Sequence, residues 1–206
     1  QYCLFFGYSS IWYWRIDCIV WSDGIMSFTL IQTTTVGAGG ATSVTFSSIA
    51  GTFTDLVVII SAKYNNAGWN QDWLSMQFNS DTGANYNWGN LQLDGFSFPG
   101  KGYSSGTTRM EMAQIPGGSI GSSFMGSARI QIPFYASSEG KQCDAEWAWV
   151  ANANSNYNLG VNGGSWTNTS AITSIRFFSS NSLTFAQNSV FSLYGRTKGS
   201  GGATVS

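Results

Sequence analysis

Histidine is absent from the 206 residues. This removes imidazole as a general acid or base, the Ser-His-Asp and Cys-His nucleophile systems, and the ligand on which most catalytic zinc sites depend. Charge is scarce as well. Asp, Glu, Lys and Arg together make 9% of the chain, where soluble proteins carry about 25%, and the net charge is −1. With no Lys/Arg cluster to neutralise a row of phosphates, nucleic acid is not an expected partner. The three cysteines, Cys3, Cys18 and Cys143, include no Cys-x-x-Cys spacing. A zinc ribbon and a disulfide framework are therefore not expected, and Cys143 reads as a buried thiol within a strand. Proline occurs three times, so few strand edges carry that guard against pairing. Long apolar runs are missing too. The most apolar stretch, 1–25, is broken by Arg15 and Asp17 and falls short of the 18 residues a spanning helix needs. No segment keeps a helical period over three turns, and there is no heptad, repeat or charge block.

What is present is apolar mass and small polar residues. Hydrophobic residues make 43% of the chain, enough for one sizeable core in one domain. Ser, Thr, Asn, Gln and Gly must supply the polar surface. Such a neutral surface, rich in hydrogen-bonding groups, suits a protein that sits in an assembly or touches sugars.

The arrangement is that of β-strands. Ala171–Gly195 reads as a closing pair of strands joined by a polar connection, with Ile172, Ile175, Phe177, Phe185, Phe191 and Leu193 as its apolar positions. Period-two alternation of this kind buries one face and wets the other. Residues 28–36 are β-branched. Residues 42–49 place Val44 and Phe46 on one face. Residues 54–62 form a continuous apolar run, expected of a central strand covered on both sides. Residues 72–78 carry Leu74, Met76 and Phe78 on one face, and the turn 79–83 follows, with Gly83 read as its positive-φ residue. Residues 86–96 alternate through Leu91 and Leu93. Residues 107–115 set Met110 and Met112 against Arg109 and Glu111. Residues 124–135 carry Ile130 and Ile132. Residues 141–151 alternate most clearly, with Cys143, Ala145, Trp147 and Trp149 opposite Asp144 and Glu146. Residues 98–106 and 152–169 read as Gly/Ser and Asn-rich loops. About ten short strands separated by turns predict an all-β fold, a jelly-roll-like antiparallel β-sandwich. Its uncharged edges are expected to be covered by neighbouring subunits.

Three segments follow. Residues 1–25 do not match the rest: they hold Trp12, Trp14 and Trp21, begin without Met, and lack the basic region and cleavage site of a signal peptide. They read as upstream translated sequence ahead of a start at Met26, or else as an amphipathic anchor. Residues 26–196 are the β-sandwich domain. Residues 197–206 are a flexible Gly/Ser tail.

Four motifs invite chemistry. Gly117-Gly-Ser-Ile-Gly121 fits the nucleophile-elbow pattern, but that mechanism needs a strand-turn-helix and a His base, so it reads as a turn. Asp144 and Glu146 lie on one strand face, with Cβ atoms roughly 7 Å apart. An inverting glycosidase could use such a pair, but both come from one strand, and a solvated face is the better reading. Asn79, Asp81 and Asn85 offer oxygens, but a calcium site wants six to eight and more carboxylates, so turn chemistry accounts for them. Asn168-Thr-Ser170 is a glycosylation sequon that matters only in a eukaryotic secretory setting. No catalytic residue, metal ligand or cofactor is expected. The candidates for a ligand or interface are Trp69, Trp88 and Trp166, in or beside loops, whose rings could stack on sugars or anchor a protein contact. Trp73, on a strand, reads as core.

Three stretches carry a family resemblance. Ile31-Gln-Thr-Thr-Thr-Val36 through Ser43-Val-Thr-Phe46 to Phe53-Thr-Asp-Leu56 is one. Phe78-Asn-Ser-Asp-Thr-Gly-Ala-Asn-Tyr86 is the second. Trp166 through Ala171-Ile-Thr-Ser-Ile175 to Ser192-Leu-Tyr-Gly195 is the third. In these the chain resembles a group of small bacteriophage virion proteins, including many from cyanophages, of structural, tail-fibre-like or capsid-associated type. The likeness covers about residues 27–195 and rests on turn and core residues, which identify a scaffold better than a task. It implies a virion-surface location and a non-enzymatic role in capsid decoration or cementing, or in a head or tail fibre. It also implies a homotrimer in contact with other virion proteins such as the major capsid protein. The alternative is a tail-fibre module that binds a host receptor or host-surface glycan.

Overall fold

The computed structural model describes residues 27–66, 68, 70–94, 97–120, 124–150 and 157–197. The readings of residues 1–25, of Trp69 and of 198–206 fall outside the described residues. Twelve strands are described: β1 (Ser27–Thr35), β2 (Ser43–Phe46), β3 (Asp55–Ala62), β4 (Gln71–Phe78), β5 (Tyr86–Asp94), β6 (Ser97–Thr107), β7 (Met110–Pro116), β8 (Gly126–Pro133), β9 (Lys141–Val150), β10 (Tyr157–Trp166), β11 (Ile175–Ser179) and β12 (Val190–Thr197). The only helical segment among the described residues is a 3-10 turn at Gly118–Ile120.

Two antiparallel sheets pack as a sandwich, in the orders β1-β12-β3-β8-β9-β10-β5-β6 and β2-β11-β4-β7. Eight of the strands trace one long hairpin rolled up on itself. β1 pairs β12, β2 pairs β11, β3 pairs β8 and β4 pairs β7, and successive strands cross between the two sheets except β4 and β7, which lie side by side in the smaller one. That is jelly-roll winding, with two Greek keys closing over one core. The expected fold class is what the structure shows. The other four strands are two insertions: hairpin β5–β6 between β4 and β7, and β9–β10 between β8 and β11. They meet through the β10–β5 pairing and extend the larger sheet past β8.

The alternation in β9 reads directly into burial, with Cys143, Ala145, Trp147 and Trp149 inside and Asp144 and Glu146 outside. Elsewhere the residues correct the expectation. Residues 171–195 do not form a pair. β11 and β12 lie in different sheets, and the connection between them carries the buried Leu183 and Phe185 across the core. β3 is covered on both sides only through Val58, because Ile59 is exposed on its outer face. In the turn after β4, Asn79 (φ 51°) and Ser80 (φ 55°) take the left-handed conformation, and Gly83 does not. Asn tolerates that region because its short side chain bonds locally. The Asn79 amide donates to Ala171 O at 2.8 Å, and its oxygen accepts from Thr173 N at 2.8 Å and Ser174 N at 3.1 Å.

The two segments read as loops are β6 and β10. Their glycines hid them, and in β10 the packing requires two of those glycines, Gly160 and Gly164. A Cβ on Gly160 would lie 2.5 Å from the Trp147 ring and 2.9 Å from the Leu91 carbonyl. One on Gly164 would meet Met110 Sδ at 2.6 Å. Large side chains on β9 and β7 occupy the space that β10 leaves.

The insertions also solve an edge problem. β7 ends the smaller sheet, yet all seven of its residues are buried. From the core side Cys143 Sγ lies 3.5 Å from Met110 Sδ, and from the other side Gln92 of β5 reaches Gln114. The larger sheet curls around β7 and covers an edge that would otherwise invite pairing.

Candidate functional site

That curl builds a layer of aromatic rings and amides between the two sheets. Gln71 and Trp73 on β4 and Gln114 on β7 share the face that points away from the Leu74/Met76/Phe78 core, as the period of two and the Trp73–Gln114 pairing require. Opposite them stand Trp88, Asn90 and Gln92 of β5, with Asn158 of β10. Trp73 lies 6.1 Å from Trp88 and 6.0 Å from Trp147, ring centre to ring centre. Gln114 Nε2 and Asn90 Nδ2 both donate to Gln92 Oε1 at 3.1 Å. Asn158 Nδ2 donates to Gln71 Oε1 at 3.3 Å. Trp147 Nε1 donates to Asn162 Oδ1 at 2.8 Å, and Asn162 Nδ2 passes on to the Glu111 carbonyl at 2.7 Å. Three buried polar atoms here have no partner: Gln114 Oε1, Trp149 Nε1 and Asn158 Oδ1. Aromatic faces beside neutral amides form the chemistry that recognises an uncharged, hydroxyl-rich ligand.

The sequence candidates divide. Trp88 belongs to this layer and is half-buried. Trp166 does not. It is 1% exposed, its ring packs on Phe78 and Tyr86, and its indole N–H donates to Asp81 Oδ2 at 2.7 Å. Buried to this degree, the ring has no face open to a ligand. Trp73, read as core, is half-buried and joins Trp88. Gln92, Gln114 and Asn158 were not singled out from sequence, because a lone amide carries no signature until the fold gathers it with others.

The remaining motifs take their plainer readings. Asp81 is turn chemistry: its carboxylate accepts from Gly83 N at 2.8 Å, Asn85 Nδ2 at 2.9 Å and the Trp166 indole. Partial desolvation pulls its pKa up, but the hydrogen bonds from Trp166, Asn85 and Gly83 outweigh it, and the net shift is downward. Ser119 lies in the 3-10 turn and donates to Asn70 Oδ1 at 2.8 Å. Asp144 and Glu146 lie on the solvated face of β9, with Glu146 paired to Arg129 of β8. Among the described residues no group of three His, Cys, Asp or Glu is placed to hold a metal ion.

A second surface lies on the outside of the larger sheet. Leu91 and Leu93 of β5 point outward, while Tyr86 and Trp88 point in. Leu91 pairs with Val161 and Leu93 with Leu159. Leu91 is 51% exposed, Val161 53% and Leu159 49%. At the far edge of the same sheet, β1 exposes Phe28 and Leu30, with no strand beyond it among the described residues.

No protein-family profile, no curated protein and no solved structure matches this chain.

The core makes one pH prediction. Burial pushes the Cys143 thiol up, with Asp144 adding to it, and the contact with the Gly164 carbonyl opposes this only in part. Burial likewise lifts the Tyr86 phenol to about 12, against a hydrogen bond from Phe78 and with help from Asp81. Both acids hold their protons more tightly when folded. Their stabilisation is complete below the ordinary values of 9.0 and 10.0 and is lost as pH rises through the folded ones. Thermal unfolding followed by circular dichroism should show a level midpoint up to pH 9 and a fall from there to about pH 12. Cys143→Ala should delay that fall to the phenol range. A midpoint level through pH 11 is inconsistent with this account.

Proposed function

We propose that this chain is a non-enzymatic structural component of a bacteriophage virion, one that decorates or cements the capsid or forms part of a head or tail fibre. The observation that carries the reading is the apolar block on the outer face of the larger sheet, exposed Leu91, Leu159 and Val161 with half-buried Leu93, bordered by the charges of Lys101, Asp144, Glu146 and Arg129. A monomeric soluble protein rarely leaves such a patch contiguous, and a patch of this kind marks a surface used for contact. The unguarded β1 edge is a second place for a neighbour. Jelly-roll winding supports the reading at the level of architecture, since capsid and lectin domains both use it. On this reading the protein lies at the particle surface as a homo-oligomer, against other virion proteins such as the major capsid protein.

One observation favours a second reading, a glycan-binding module of a fibre: the layer of Trp73, Trp88, Gln92 and Gln114. One experiment with two arms separates them. Antibodies raised against the chain should label purified phage particles on the shell or fibre in electron micrographs. Label found only in the soluble part of the lysate counts against the structural role. In the second arm, binding to immobilised neutral glycans that is lost in Trp88→Ala would make recognition the main task.

A further inference from the structure

We infer that the outer face of strands β9, β10, β5 and β6 is a self-association surface, on which a second copy of this chain docks face to face about a two-fold axis parallel to β10 and β5. The inference rests on the assembly reading above and names the partner and the geometry.

The argument comes from register. Opposed residues in antiparallel strands point to the same face. Lys101 of β6 opposes Leu91 of β5, Leu91 opposes Val161 of β10, and Val161 opposes Glu146 of β9. One row across four strands thus reads cation, apolar, apolar, anion. A two-fold axis lying over the β5–β10 seam turns the sheet over and exchanges the two sides of that row. Leu91 of each copy then lies over Val161 of the other, and Lys101 of each over Glu146 of the other. The row is its own complement, as an isologous contact requires. Glu146 already pairs with Arg129, but a carboxylate has lone pairs for both cations.

The neighbouring rows agree. On one side Leu93 and Leu159 are opposed, and the same axis lays each over its counterpart. On the other side Tyr103 opposes Gly89, Gly89 opposes Gly163 and Gly163 opposes Asp144. Tyr103 is 88% exposed. The two glycines leave a trough without side chains, and a Cβ at Gly163 would meet nothing within 4 Å. The axis lays Tyr103 of each copy over Asp144 of the other, at the rim of the trough.

Size also fits. Four strands of about nine residues, at about 4.8 Å between strands and 3.4 Å per residue, give a face of roughly 600 Å². Two such faces bury roughly 1,200 Å², the lower end of what specific association uses. A foreign partner could cover apolar area of this kind, but nothing would require it to repeat the order of charges in reverse.

The test is sedimentation equilibrium of the full chain at micromolar concentration, with far-UV circular dichroism as a folding control. The wild type should be a dimer. Val161→Glu should raise the dimer Kd about a hundredfold with its spectrum unchanged, since the residue is half-exposed. Lys101→Glu alone and Glu146→Lys alone should each raise Kd about tenfold by setting like charges face to face. The double exchange should return Kd to within about threefold of wild type. A monomer throughout, a trimer indifferent to Val161→Glu, or single charge exchanges that the double variant does not rescue would each overturn the proposal. The two readings also fail separately. A dimer never found on particles leaves the pairing and removes the virion role, and a particle-bound chain that is monomeric in solution does the reverse.

Discussion

Replacing Trp166 by alanine should cost about 4 kcal/mol of unfolding free energy, the upper range for truncating a buried aromatic. The ring contacts Phe78 edge-on at 5.5 Å and stacks on Tyr86 at 6.3 Å, so its removal opens a hole between the end of β10 and the β4–β5 turn. It also takes from Asp81 one of the donors that hold its pKa down. Two signals should therefore move together. Urea unfolding should shift to lower concentration, and the Asp81 carboxyl, followed by NMR, should titrate closer to the ordinary carboxylate range. Trp166→Phe keeps much of the ring and loses only the indole donor, so it should cost about 1 kcal/mol beyond the lost volume while releasing Asp81 to the same degree. A loss under about 1 kcal/mol for alanine would mean that Trp166 is not the packing centre described.

Asp72→Ala should be nearly as damaging, at about 3 kcal/mol, because a buried carboxylate with several donors leaves all of them unpaired when it goes. Asp72 is 4% exposed. It accepts from the Ser179 hydroxyl, from Asn181 N at 3.0 Å and from Asn181 Nδ2 at 2.6 Å. Ser179 Oγ in turn accepts from Leu183 N at 2.8 Å. The group fastens the end of β11 to the start of β4 and sets the path by which Leu183 and Phe185 cross the core. Asp72→Asn keeps the shape and part of the acceptor capacity, so it should cost about a third as much. Chemical denaturation of both variants is the measurement. Equal losses would show that the charge matters and the hydrogen bonds do not.

How much of this was legible varies with the residues. β9 could be read whole, because its alternation is strict and its large side chains lie on one side only. β5 was readable as a strand but not for its facing. The alternation through Leu91 and Leu93 does not say which face is buried, and in the fold Tyr86 and Trp88 turn inward while the leucines lie on the outer face. β6 and β10 read as loops from their residues alone because Gly and Asn have low strand propensity. What makes β10 a strand is the bulk of Trp147 and Met110 opposite its glycines, which no local window contains. The closing pair went wrong for a different reason. Period two reports which face a residue takes and is silent about which sheet its strand joins. Of the candidates, Trp88 stands half-buried in the aromatic and amide layer, and Trp166 is core. The amides around Trp88 acquire meaning only when the two insertions bring them together.

Those insertions have a consequence for the order of events in folding. Each hairpin, β5–β6 and β9–β10, can form from neighbouring residues on its own. Their joint line, where Asn158 meets Asp94 and Trp166 meets Tyr86, links stretches far apart in the chain, and such closures are slow because loop entropy is spent before contacts return it. Zippering along that line should be among the last steps to complete. Until it does, β7 stays bare, and newly made chains are at their most sticky in that interval.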